Sequence, residues 1–201
     1  MRLLLRSALV LLVMFAFMPA LHADSFTVTF NNPGISTGYI DLQFNPGFTS
    51  STPGAVTISN MSGALSASDP NSYSGALGDV SGDPWTTLTI SNTNAVNDYF
   101  QYVSFGSSFT FSVNFPTFSP DQSGSSFVFA IYLGDGFTPV DGADENGALL
   151  IGSVNPDGSV TFDNRSDSPA NASPVPEPSS LVLLGTGVLG VAGALRRRFT
   201  A

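Results

Sequence analysis

Two stretches of this chain place an apolar residue at every second position, and that period constrains the fold more than any other feature. Phe109, Phe111, Val113 and Phe115 alternate with Thr110, Ser112 and Asn114. Phe127, Phe129, Ile131 and Leu133 form a second stripe, with Val128, Ala130 and Tyr132 between them. Successive side chains of a strand point to opposite faces, so a period of two reads as strand rather than helix. The first stripe predicts a strand buried on one face. The second is apolar on both faces and predicts a central strand.

Shorter stripes surround these two: Phe26-Val28-Phe30, Ile40-Leu42-Phe44 around Asp41 and Gln43, Val56-Ile58, Leu88-Ile90, Leu149-Ile151 and Val160-Phe162. Asn155-Pro156-Asp157-Gly158 reads as a tight turn between the last two. Turn clusters between β-rich runs, with few helix signals, predict an all-β body folded as an antiparallel β-sandwich. A jelly-roll arrangement fits the same pattern, and strand order is open. Ser62 to Gly82 is small, polar and Gly/Ser-rich, which predicts a long loop.

The two ends are different in kind. Arg2 and Arg6 precede an apolar stretch from Ala8 to Phe17, and Pro19 to Ala23 ends in a small residue. This is the build of a secretory signal helix, residues 1–23, with cleavage after Ala23. At the other end, residues 179–195 are apolar and glycine-containing, and Arg196, Arg197 and Arg198 follow. As a helix they span roughly 26 Å, short but sufficient for one transmembrane crossing of a core about 30 Å thick. The arginines place that end in the cytoplasm and the body outside. The predicted organisation is signal peptide 1–23, acidic body 24–165, linker 166–174 and tail 175–201.

Val175-Pro176-Glu177-Pro178, the apolar span and the three arginines together resemble the PEP-CTERM sorting signal of Gram-negative, biofilm-forming bacteria. A similar tail is also labelled an ice-binding protein C-terminal domain. The resemblance implies recognition by exosortase, an integral-membrane cysteine protease, with removal of the tail near Pro176, Glu177 and Pro178. Those residues would then be a processing site for another enzyme. The prolines suit that role because they hold the backbone extended. The body is similar to small exported PEP-CTERM proteins along Tyr39 to Asn45, Phe109 to Phe115 and Phe127 to Leu133, which implies a fold and no activity. Ice binding would call for a repeated flat Thr-x-Thr face. Thr27-Val28-Thr29 and Thr87-Leu88-Thr89 are isolated, and the chain shows no repeat.

The chemistry open to the body is narrow. The chain has no lysine and no cysteine, and its one histidine, His22, lies in the signal segment. That excludes a Ser-His-Asp triad, a Cys-His pair, a Schiff-base lysine and the usual nitrogen and sulfur ligands of zinc. Between Asp24 and Ser173 there are 14 carboxylates and one basic residue, Arg165. Such a surface repels nucleic acid and anionic lipid. Carboxylate chemistry remains. Asp41, Asp79, Asp83, Asp98 and Asp135 are candidates for a glycosidase pair. Asp135, Asp141, Asp144 and Glu145 lie on a Gly-rich segment whose oxygen ligands would suit Ca²⁺, with a solvated acidic loop as the simpler reading. Trp85, Tyr99 and Tyr102 read first as core and second as a platform for sugar rings.

The sequence therefore predicts a non-catalytic cell-surface or extracellular-matrix protein, tethered in the inner membrane before processing. Its expected partners are exosortase, the secretion machinery, the membrane and exopolysaccharide. The alternatives are a secreted carbohydrate- or calcium-binding module and a carboxylate-dependent glycoside hydrolase.

Overall fold

The alternating stripes become strands where the period places them. The computed structural model describes residues 25–47, 53–116, 118, 124–175 and 185. Its strands are β1 (Ser25–Asn31), β2 (Thr37–Asn45), β3 (Ala55–Ser66), β4 (Gly75–Leu77), β5 (Val80–Asp83), β6 (Thr87–Ser91), β7 (Asp98–Asn114), β8 (Ser126–Tyr132), β9 (Ala148–Val154), β10 (Val160–Phe162) and β11 (Ala170–Pro174). All the strand pairings are antiparallel.

The 17-residue β7 organises the body. Its first part, Asp98 to Ser104, pairs with β2, and its last part, Ser108 to Asn114, pairs with β1. One layer therefore runs β10-β9-β8-β2-β7, and the other runs β11-β1-β7-β3-β6-β5. The body is all-β and sandwich-like, with both layers sharing β7. Phenylalanines fill the space between. Phe129 on β8 meets Phe30 of β1 and Phe109 and Phe111 of β7, with ring centroids 5.2 to 6.4 Å apart. Phe26 of β1 meets Phe162 of β10 at 4.7 Å. Each fully buried ring of this kind contributes roughly 1.5–3 kcal/mol from burial. β8 lies between β2 and β9, as expected of a strand apolar on both faces.

Two expectations are corrected. The stretch from Ser62 to Gly82 is not one long loop: β3 continues to Ser66, and β4 and β5 follow. No apolar stripe marks these strands, because β4 is exposed and β3 is interrupted. The pairing of β3 with β7 shifts between Ser59 and Ser62 and again before Ala64. Asn60 and Gly63 take positive φ there, and a Cβ at Gly63 would fall 2.2 Å from the Ser108 carbonyl oxygen. Each bulge resets the face that a side chain occupies and erases the period of two. Second, residues 170–174 are not linker but β11, paired with β1 from Phe26↔Pro174 to Phe30↔Ala170. The signal helix, the membrane helix 179–195 and cleavage at Ala23 lie outside the described residues, apart from Gly185. Among the described residues no helix is long and apolar enough to cross a membrane.

Candidate functional site

On β2, Ile40, Leu42 and Phe44 face the core, so Tyr39, Asp41 and Gln43 face outward. The register sets Asp41 opposite Phe100 of β7 and Ala130 of β8, Gln43 opposite Asp98, and Tyr39 between Tyr102 and Tyr132. Asp41 and Asp98 are thus diagonal neighbours. Asp41 should be wet at this position, yet it is 4 % exposed. The cover comes from residues 69–74 and 134–137.

Asp69 fastens the first cover. It accepts the Tyr39 hydroxyl at 2.6 Å, the amides of Asn71, Ser72 and Ser74, and the Ser74 hydroxyl at 2.8 Å. Desolvation alone would push its carboxyl up, but the donors from Tyr39, Ser74 and Asn71 outweigh it and hold the group well below the usual carboxylate range. Asn71 ties the two covers together, donating to the Tyr39 hydroxyl at 3.2 Å and the Gly134 carbonyl at 3.0 Å. The rings follow the same path. Tyr39 stacks on Phe100 with centroids 4.7 Å apart, Tyr73 packs on Phe137 at 5.4 Å, and Phe100 contacts Tyr132 at 5.9 Å. Gly136 lets the second cover approach: its φ is 78°, and a Cβ there would meet the Tyr73 ring at 2.8 Å.

Between the covers and the sheet lies an open pocket of about 430 Å³, lined by Asp41, Asp98, Phe100 and Tyr132 below and Tyr73, Gly136 and Phe137 at the rim. Gln43 donates to Asp41 Oδ2 at 2.8 Å. Gln43 in turn accepts from Asn45, and Asn45 accepts the amide of Asn97 at 2.7 Å, so the carboxamides form a fixed row along β2. Oδ1 of Asp41 and Oδ1 of Asp98 are buried and receive no N–H or O–H among the described residues. The two carboxyls lie in hydrogen-bond contact, a bond that needs a proton on one of them. Burial first, then the charge of Asp98, pushes Asp41 up to about 8, against the Gln43 bond. Burial also raises Asp98. Near neutral pH Asp41 therefore keeps its proton, and the two carboxyls titrate as a pair.

A second feature concerns the ends. β1 starts at Ser25 and β11 stops at Pro174, and the two strands are antiparallel. The Val175 amide donates to the Ser25 carbonyl at 2.9 Å. The segments before residue 25 and after residue 175 consequently leave the body from the same corner. The model of the PEP-CTERM protein-sorting motif matches residues 174–198, starting at the last residue of β11. The chain carries a PEP-CTERM sorting signal. No curated protein and no solved structure matches the chain. The PEP-CTERM signal implies export and exosortase-mediated sorting to the bacterial cell envelope or surface. Of its motif residues Val175 is described, and it is 38 % exposed. Pro176, Glu177, Pro178 and Arg196 to Arg198 lie outside the described residues.

The remaining acidic candidates of this PEP-CTERM chain are used locally. Asp135 accepts the amides of Phe137 and Thr138, both at 2.9 Å, and the Thr138 hydroxyl. Asp144 Oδ1 accepts the amides of Asn146 and Ala148. Asp141 and Glu145 are exposed. Among the described residues no three or more His, Cys, Asp or Glu groups gather as a metal site. Asp83 caps Trp85 and Thr86, and Asp79 accepts the Thr93 hydroxyl. Trp85 packs against the core and donates from Nε1 to the Ala64 carbonyl at 2.7 Å. Tyr99 packs there too, while Tyr102 sits against Tyr39. Asp41 and Asp98 are the glycosidase candidates that the structure brings together. The aromatic lining was not foreseen; the available signal was Asp41 itself, a charge inside a β-rich run behind Tyr39.

Proposed function

We propose that this chain is an exported cell-surface or extracellular-matrix protein whose body acts without catalysis. The observation that carries this reading is the sorting motif starting where β11 ends. Together with a shared exit corner for both ends, it suits a body held by one corner at the inner membrane of a Gram-negative cell while exosortase acts on the tail. Removal of the tail would then leave all eleven described strands intact. The signal peptide, cut after Ala23, would have started export through the secretion machinery. Glu177→Ala tests the reading. Fractionation of the host should find the wild type outside the cell or on its surface, and the variant in the inner membrane. Equal distribution of the two would contradict it.

A second reading, a secreted binding module, is favoured by one observation: the carboxylate pair at the floor of an aromatic pocket. The same pair argues against glycoside hydrolysis. Retaining glycosidases hold their carboxyls about 5–5.5 Å apart and inverting ones about 6.5–9.5 Å apart, to admit a sugar carbon or a water. Asp41 and Asp98 interact directly, and each bears on the other's proton.

A further inference from the structure

We propose that the Asp41–Asp98 pocket binds a primary ammonium group carried on a flat apolar body. This inference rests on the binding-module reading of the body and names the chemistry of its ligand. Three features of the pocket bear on it.

The first is the polarity of the floor. Asp41 is buried, lines the pocket, and leaves Oδ1 without a donor, as does Asp98. A proton shared by the two carboxyls satisfies one contact and leaves other lone pairs of the pair without a donor. A buried carboxylate oxygen without a donor is costly, so the floor calls for a ligand that donates.

The second is what the lining lacks. Its polar side chains are two carboxyls and the hydroxyls of Tyr73 and Tyr132. Among the lining residues no amide, guanidinium or ammonium side chain donates, so the donors are the two tyrosine hydroxyls and the carboxyl proton, while the two carboxyls supply acceptors in excess. Sugars and other polyols present acceptors as well as donors and make less use of that excess than a donor-only group does. An ammonium group is donor-only and matches the floor in both hydrogen-bond sense and charge.

The third is the walls. Phe100, Tyr132, Tyr73 and Phe137 offer ring surface around the carboxyls, and aromatic faces attract cations. Phe137 is 72 % exposed at the rim with no core role, which leaves its ring available to cover an incoming apolar body. A pocket of about 430 Å³ fits a small molecule or one residue of a polymer.

An aryl amine has this chemistry, and an amino sugar carries the same ammonium group without the flat apolar body. The test titrates the protein purified from its host, by calorimetry at pH 7, with phenethylammonium chloride, 2-phenylethanol, glucosamine hydrochloride and glucose. Each ammonium probe should bind at least about tenfold more tightly than its uncharged partner, the loss expected for one charge-assisted bond. Phenethylammonium should be the tighter of the two ammonium probes, and tighter binding of glucosamine would overturn the flat apolar body. The double variant Asp41→Asn/Asp98→Asn, which leaves the floor no carboxyl to ionise, should remove the preference for the charged probes. Phe137→Ala, which leaves the core untouched, should weaken the ammonium probes by roughly three- to tenfold with an unchanged melting temperature. Glucose or 2-phenylethanol binding as tightly as its charged partner would overturn the proposal and leave the module reading standing. Absence of binding by all four at millimolar concentration would overturn both.

Discussion

Asp41 and Asp98 meet across the β2–β7 pair, two positions out of register, with no cation beside them among the described residues. Arg165, the body's one basic residue, is bonded elsewhere, to the carbonyls of Gly142 and Ala148 and to Asp167. A buried carboxyl beside a half-buried one cannot ionise cheaply while its neighbour is charged, and that cost falls on the stability of the fold.

The cost has a pH signature. Asp41 is pushed from 3.8 in the unfolded chain up to about 8 in the folded one. The folded state therefore holds a proton that the unfolded chain releases, and the stability this gives is complete below about 4 and lost as pH rises through about 8. Asp41→Asn mimics the protonated form. Its stability relative to wild type should grow across that window to roughly 2–5 kcal/mol above pH 8, read from urea unfolding at pH 5 and pH 9. An equal difference at both pH values would contradict the shared proton.

At the acid end the sign reverses. Asp69 is held low by its donors, so its contribution is present above the ordinary carboxylate range and fades as pH falls below it. Asp69→Ala should release the cover over Asp41. The Ser74 amide, which donates to Asp69, should exchange with solvent deuterium faster in the variant at pH 7. Unchanged protection of Ser74 would show that the cover is held by other contacts.

The core and the pocket rim should separate cleanly under mutation. Phe129 is fully buried among Phe30, Phe109 and Phe111, and Phe129→Ala should cost about 3–5 kcal/mol. Phe137→Ala should stay within about 0.5 kcal/mol, as exposed positions do. Chemical denaturation of the two variants side by side measures both values.

Arg165 closes the body ahead of β11. Its Nη2 donates to Gly142 O at 2.9 Å and Ala148 O at 2.8 Å, joining the segment before β9 to the approach of β11. Arg165→Ala should cost roughly 1.5–3 kcal/mol, the range for hydrogen bonds from a charged donor. Arg165→Lys should recover only part of it, because an ammonium lacks the planar fork. Full recovery by lysine in a thermal melt would mean that charge alone matters here.

The fold was legible where the period of two survives. Phe109 to Phe115 and Phe127 to Ile131 announce strands because each has a continuous buried face, whereas Leu133 at the end of the second stripe lies past β8 and is exposed. β3 past Asn60 was not legible, since bulges at Asn60 and Gly63 break the alternation. β11 was hidden for another reason: Ala170 and Ala172 are its buried residues, and their small side chains leave no stripe in a polar, proline-flanked segment. For the site, alternation put Asp41 on the outer face of β2, and that was right. Its burial depends on Asp69 and Gly136, 28 and 95 positions away, and local patterning carries no trace of such a cover.

The most direct measurement of the export account is the intact mass of the protein recovered from its own host. The account predicts a chain that starts at Asp24 and lacks residues 179–201, with β1 and β11 both retained. A mass that keeps residues 179–201 would make the tail a permanent anchor and contradict the processing at its centre.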